Sequence, residues 1–216
     1  MKGLEILYED DFILVINKPA GLAVQGGEGV KVSVDKLAAQ MVAGTGSQML
    51  SDAKTPLLVH RLDKDTSGVL LLAKGREEAA RFSRLISGRK TIKKYTAVCA
   101  GKPEKNEGVI KDSLLIHGSL KESETKYKVL KTFNDYAVLE LELVTGRMHQ
   151  IRRHLASCKN PVLGDDKYGD FKLNKSLRKT AGLNHLLLHA SRLIIKTDYH
   201  LDIAAPLPEY FKKYDV

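Results

Sequence analysis

Cysteine is nearly missing from this sequence: Cys99 and Cys158 are the only two in 216 residues. They cannot build a disulfide framework, and with no CxxC pair a reducing cytoplasm is the expected compartment. Long apolar runs are missing too, since an Arg, Lys or Asp interrupts every candidate short of the ~20 residues of a membrane span. The opening Met1-Lys2-Gly3-Leu4-Glu5 meets Glu9, Asp10 and Asp11 too early for a signal peptide. There is no internal repeat and no low-complexity tract. GxxxxGK followed by Ser or Thr and GxGxxG do not occur, which argues against nucleotide and dinucleotide enzymes. Without a GxSxG elbow, an acyl-transfer serine is unsupported. Without HExxH, a Cys–His cluster or a paired-Asp motif, no metal and no cofactor are expected. His185 and His189 fall in an expected strand, where side chains at that spacing stand too far apart to share an ion.

Basic residues are abundant. Lys and Arg number 35 against 26 Asp and Glu, a formal net charge of +9 with a pI near 9.4. That excess favours a polyanionic partner without choosing among polyanions. A hydrophobic content of 43% with 28% charged residues is that of a globular chain. The length suits one domain, or one domain folded as two halves, large enough to bury a full core.

Apolar patterning gives the expected elements. Leu4–Tyr8 and Phe12–Asn17 read as strands about a tight turn at Glu9-Asp10-Asp11. Ser33 is placed to cap a helix carrying Val34, Leu37, Ala38 and Met41, and residues 44–56 read as a connection. Leu57–Val59 and Val69–Ala73 read as buried strands, Arg76–Ile86 as a helix and Thr91–Ala100 as a strand. Lys126–Phe133 and Tyr136–Val144 form a hairpin across Asn134-Asp135. Met148–Cys158 has a narrow helical stripe at 148, 151 and 155 that leaves His149, Arg152 and Arg153 off the core face. Leu186–Ile195 and Leu201–Ala204 complete the strands, and Glu209–Tyr214 is a short helix. The expected fold is mixed α/β, α+β in type, with a largely antiparallel sheet flanked by helices and loops.

Three stretches concentrate chemistry. His60-Arg61-Leu62-Asp63-Lys64-Asp65-Thr66-Ser67-Gly68 interrupts two apolar strands. It reads either as a turn with local Asp, Thr and Ser hydrogen bonds or as a functional loop. Thr145-Gly146-Arg147-Met148-His149-Gln150-Ile151-Arg152-Arg153 puts three arginines at a helix start, where the dipole disfavours cations. A carboxylate or a phosphate should sit beside them, unless the face is simply solvated. Arg84, Arg89, Lys90, Lys93 and Lys94 form a basic run ending at Tyr95, a combination that suits single-stranded nucleic acid, although a strand Tyr also serves packing.

The 60–68 stretch resembles the signature of the RluA-type pseudouridine synthases, and the resemblance covers nearly the whole chain. Asn17-Lys18-Pro19-Ala20-Gly21 looks like the first motif of that family and Lys93-Lys94-Tyr95 like its Lys-x-Tyr motif. Thr145 to Arg152 looks like its TGRxHQIR motif. Pro161-Val162-Leu163-Gly164-Asp165 with Tyr168-Gly169, then Leu188-His189-Ala190, continue in order. Gly26-Gly27-Glu28-Gly29, Ser123-Glu124-Thr125 and Tyr168-Gly169-Asp170 look most like the large-ribosomal-subunit synthase C subfamily. Members of that subfamily carry an S4 RNA-binding domain ahead of the catalytic one. The expectation for this chain is a single catalytic domain over residues 1–216, two halves about one cleft, with no S4 domain.

The resemblance implies isomerisation of uridine in RNA to pseudouridine. Asp63 would be the nucleophile, Tyr95 would stack on the target base and help remove the C5 proton, and Arg152 would pair with Asp63, Arg147 being the fallback. Substrate contacts are expected from Arg61, His60, Thr66, Arg147, Gln150, Ile151, Leu188, Lys93, Lys94, Arg89 and Lys90, with Lys172, Lys175, Arg178 and Lys179 as further phosphate ligands. Arg61 would fill space beside the flipped nucleotide, and Ile151 and Leu188 would wall the base. His60, His149 and His189 read as hydrogen-bonded structural histidines. The expected partner is large-subunit ribosomal RNA, with transfer RNA second, no membrane, and a monomer as the simplest state. A silent RNA-binding module or an RNA hydrolase are the competing readings; the first needs no Asp–Tyr–Arg trio and the second lacks metal carboxylates.

Overall fold

The computed structural model describes residues 4–44, 56–88 and 90–216. Apart from its two ends, the connection expected over 44–56 lies outside these residues. In chain order the first elements are β1 (Glu5–Glu9), β2 (Ile13–Lys18), α1 (Val34–Gly44), β3 (Pro56–Leu58), β4 (Ser67–Lys74) and α2 (Arg76–Ser87). Then come β5 (Thr91–Ala100), β6 (Glu107–Ile116), β7 (Ser119–Thr132), β8 (Tyr136–Leu143), α3 (Gln150–Ser157) and α4 (Phe171–Thr180). The last are β9 (Leu188–Lys196), β10 (His200–Ala204) and a 3-10 turn at Glu209–Tyr214. They form two compact units, one of Met1–Thr91 with Arg192–Pro206, the other of Ile92–Ser191 with Leu207–Val216.

In the first unit, Asp10 turns β1 into β2 by accepting the amides of Phe12 and Ile13, both at 2.8 Å. β2 pairs antiparallel with β4, and β3 pairs with the end of β4. The continuous apolar sequences of β2 and β4 are buried nearly throughout, as strands covered on both faces require. α2 adds Phe82 and Ile86 to a core with Ile13, Val15, Val69, Leu71, Leu193 and Ile195. Burying a side chain such as Phe82 contributes about 1.5–3 kcal/mol. Ser33 stands where expected, at the start of α1, its carbonyl accepting the Leu37 amide at 3.0 Å; its hydroxyl donates to the Asp35 carboxylate, which also accepts the Gly26 amide.

In the second unit β5, β8, β7 and β6 pair in that order, each antiparallel to the next. β8 lays Val138, Leu139 and Leu141 into the core. The expected hairpin across Asn134-Asp135 is present, but β7 reaches back to Ser119 and turns into β6 at His117-Gly118. Both of those residues have positive φ, 48° and 77°, the geometry of a tight two-residue hairpin turn. The fold is mixed α/β with a largely antiparallel sheet. No helix among the described residues is long and apolar enough to cross a membrane.

Candidate active site

Within the 60–68 stretch, residues 60–66 form a loop between β3 and β4 and Ser67-Gly68 open β4; the loop is braced by a lysine. Lys18, at the end of β2, is fully buried. Its Nζ donates to the carbonyl oxygens of Pro19 (2.9 Å), Leu22 (2.9 Å) and Lys64 (2.8 Å). The Gly21 amide reaches the same Lys64 oxygen at 3.0 Å. Burial pulls the Lys18 ammonium down to about 8 against the opposing pull of Asp65 and Asp63. A cation is thus built into the floor under the loop that carries both carboxylates. Thr66 N–H closes a turn on the Asp63 carbonyl at 3.2 Å, and His60 Nε2 accepts the Leu71 amide at 2.9 Å. This bond ties the loop to β4. Asp63 is half-buried and Arg61 exposed. Thr66 is buried, and its hydroxyl has no hydrogen-bond partner among the described residues. Beside the loop lies a cavity of about 290 Å³ lined by Val24, Gln25, Leu58, Val59, Arg61 and Leu62, among others.

The second group stands on β5. Tyr95 is buried opposite Leu141 of β8. Lys94 Nζ bonds Glu140 at 3.0 Å, so the stretch that looked uniformly basic along the chain is partly neutralised across the strands. Lys93 is half-buried, and burial holds its ammonium below the usual lysine range. Arg89 lies outside the described residues, and Lys90 is exposed.

The third group is built around α3. Its N-cap, His149, sits in the left-handed region at φ 54°, a conformation uncommon for non-glycine residues in general and adopted by His more readily than by most. Gln150 fixes the entry by accepting from Thr145 Oγ1 (2.7 Å) and the Arg147 amide (3.0 Å) and donating to the Glu124 carbonyl (2.9 Å). Arg147 itself is exposed, with Nε on the Glu122 carbonyl at 3.2 Å. Ile151 and Leu188 are buried.

Arg152 was expected off the core face; it is buried instead. The reason is Asp165, which takes Arg152 Nε on Oδ2 at 2.7 Å and Nη2 on Oδ1 at 2.8 Å. Asp165 is a carboxylate of the kind expected beside the arginines of this helix start, and it engages Arg152. Burial pushes the Asp165 carboxyl up, but the Arg152 guanidinium and the amides of Tyr168 and Lys167 outweigh it and hold it below the usual range. The Tyr168 ring lies 5.3 Å from the guanidinium carbon, and its hydroxyl bonds His149 Nδ1 at 2.9 Å. Two glycines let the Asp165 loop close this tightly. A Cβ on Gly164 would stand 2.0 Å from the His185 carbonyl oxygen, and one on Gly169 would stand 2.2 Å from that of Asp165. Asn174 completes the loop, accepting the Gly164 amide and donating to the Asp165 carbonyl.

Within the first unit the structure therefore gathers His60, Asp63 and Thr66 over Lys18; within the second it organises Arg147, Gln150, Ile151 and Arg152 around Asp165. Lys18, Asp165 and Tyr168 stood inside the quoted motifs but received no role of their own from the sequence. A half-buried carboxylate on a braced loop can serve as a nucleophile, and a guanidinium fixed in one plane can stabilise an anion. Among the described residues no three of His, Cys, Asp or Glu converge to hold a metal ion.

Comparison with known proteins gives a consistent result. The family model of RNA pseudouridylate synthase matches residues 12–157. Ribosomal large subunit pseudouridine synthase C of Rickettsia typhi is 35% identical over 224 residues, covering 96% of this chain and 69% of that protein. The protein of the same name from Vibrio vulnificus is 36% identical over 222 residues, covering 96% and 67%. Among solved structures, human RNA pseudouridylate synthase domain containing 4 superposes with a TM-score of 0.80 at 28% identity, covering 97% of this chain and 90% of the human one.

Proposed function

The chain belongs to the RNA pseudouridylate synthase family, and from that premise we propose that its substrate is large-subunit ribosomal RNA and that Asp63 is its nucleophile. The activity is that of the family: uridine within RNA is isomerised to pseudouridine, the N1–C1′ bond breaking, the base turning, and C5 joining C1′ as its proton leaves. The observation that carries the assignment of Asp63 is its place in the His60–Gly68 signature, on a loop whose Lys64 carbonyl is held by the buried Lys18. Tyr95 is assigned stacking on the target base and help in removing the C5 proton. Arg152 is assigned the cationic role in turnover, with its plane set by Asp165. The buried Thr66 hydroxyl is a candidate donor to the substrate. Extruding the uridine costs a few kcal/mol, which Arg61 would offset by filling the space left in the stack.

The test uses RNA carrying tritium at uridine C5. Tritium release without strand cleavage, abolished by Asp63→Ala, is the expected result; cleavage would instead mark a hydrolase, and neither event a silent binding module. Mapping pseudouridines in ribosomal and transfer RNA from cells with and without the protein separates the two substrate classes. The working state is proposed to be a monomer, the simplest state, which sedimentation of the purified protein checks.

A further inference from the structure

α3 is held on the face opposite Arg152 by a buried chain of hydrogen bonds that contains a histidine. Ser123 and Thr125 on β7 and Gln150 and His154 on α3 are all buried, Thr125 and His154 completely. Ser123 Oγ lies 2.7 Å from the Asp112 carbonyl oxygen and 2.7 Å from His154 Nε2. His154 Nδ1 lies 3.0 Å from Thr125 Oγ1, which lies 2.9 Å from Gln150 Nε2.

Chemistry dictates the direction of every link. A carbonyl only accepts, so the single Ser123 proton goes to Asp112, and His154 Nε2 must donate to Ser123. The Gln150 amide cannot be flipped: its oxygen faces the Arg147 amide and its nitrogen the Glu124 carbonyl. Gln150 Nε2 therefore donates to Thr125 Oγ1, and the Thr125 proton is left for His154 Nδ1. The chain closes only with His154 neutral and protonated on Nε2. An imidazolium would also donate from Nδ1, which would leave the Thr125 proton without an acceptor in a site with no exposure. Around the ring, burial favours the neutral form, Asp112 on β6 opposes it and Arg153 on α3 supports it; together they hold His154 below its ordinary value.

We infer that His154, fixed as the neutral Nε2–H tautomer by the direction of this chain, is a positioning residue that sets α3, and with it Arg152, for turnover. The inference rests on the reading that Arg152 acts in the isomerisation. His154 touches no reacting atom; it locks the helix from the β7 side while Asp165 holds the guanidinium on the other. Acidification that protonates the ring reverses one link and loosens the mount.

The experiment has two arms on the full chain. Nitrogen-15 NMR of the free protein at pH 7 reads the tautomer, and the Nε2–H form is expected; the Nδ1–H form or an imidazolium at that pH would overturn the inference without any activity measurement. The second arm measures tritium release against pH for wild type, His154→Ala and His154→Gln. H154A should lower kcat by roughly tenfold or more with little change in KM for RNA. H154Q keeps a donor toward Ser123 and cannot be protonated, so it should recover part of the lost turnover and move the acid limb of the profile to lower pH. Wild-type kcat in H154A, or an unshifted acid limb in H154Q, would overturn the positioning role alone. Absence of release by wild type would overturn the functional reading and the role with it. If H154A does not fold, the tautomer and the H154Q profile still decide.

Discussion

Arg152 and Asp165 form a buried, bidentate ion pair, the guanidinium 6% and the carboxylate 0% exposed at the side chain. The pair explains how an arginine two residues into a helix comes to be buried at all. Bringing two charges out of water is costly, so removal of one partner leaves the other in a worse place than solvent. Asp165→Ala should destabilise the protein by about 3–5 kcal/mol, the range for a broken buried pair, read from urea unfolding at pH 7. The sign with pH is fixed by the lowered carboxyl of Asp165. Its stabilising contribution is complete above the ordinary carboxylate value of 3.8 and is lost only as the pH falls below it. The wild type and D165A should therefore converge in stability at strongly acid pH. Equal stability of the two proteins at pH 7 would show that Asp165 does not support Arg152.

Tyr95 offers a separation of binding from chemistry. Its ring is buried on β5, so Tyr95→Phe removes one oxygen without changing the packing shape. RNA affinity in filter binding should stay within a few-fold, because stacking uses the ring face. Tritium release should fall by about 10²–10⁴, the usual range for loss of a proton-transfer group. A Y95F protein that turns over at the wild-type rate would leave Tyr95 only its stacking role.

Unbroken apolar runs were the readable part of this chain. Val69–Ala73 became β4 with nearly the expected bounds, because strands covered on both faces write their burial directly into composition; Thr91–Ala100, though broken by Lys93 and Lys94, became β5 with the expected bounds. β6 was not readable: Glu107–Ile116 is exposed or half-exposed at every position but one, so no apolar period marks it. α4 was hidden for a similar reason, since Asn174 is its only buried residue. Asp170, which caps α4 by accepting the amides of Lys172 and Leu173 at 2.9 Å, was the signal available. The proposed nucleophile Asp63 was legible through its motif, and the support beneath it was not. The burial of Arg152 depends on a carboxylate 13 positions away, and that of Lys18 on the Lys64 carbonyl 46 positions away. No local period encodes either contact.

Lys18 gives the loop a dependence on alkaline pH. Folding lowers its ammonium from 10.5 to about 8, so between those values the unfolded chain binds more protons than the folded one. Stability must then rise with pH across that window, and the rise is lost as pH falls through about 8. At about 1.36 kcal/mol per unit, wild type should gain about 2–3 kcal/mol between pH 8 and 10 from this group. Lys18→Met lacks the titration, so the difference in urea-unfolding free energy between the two proteins should grow by that amount over the same interval. A difference that stays constant with pH would place Lys18 in contact with solvent and remove it as the brace of the Asp63 loop.

Salt dependence distinguishes which cations meet RNA. Lys172, Lys175, Arg178 and Lys179 are exposed along α4, whereas Lys94 and Lys126 already bond Glu140 and Glu142, each at 3.0 Å. A lysine with a counter-ion in place releases less on meeting a phosphate than an exposed one does. With roughly five phosphates neutralised, the slope of log K against log salt is about −3.5, an affinity loss of about 100-fold between 50 and 200 mM. The double variant Lys175→Ala, Lys179→Ala should flatten that slope by about 1.4, or about 0.7 for each contact. Lys94→Ala should leave it nearly unchanged, because the charge removed is one that Glu140 had already balanced. If instead Lys94→Ala flattens the slope and the α4 variant does not, the RNA runs along β5 and opens the Lys94–Glu140 pair on binding.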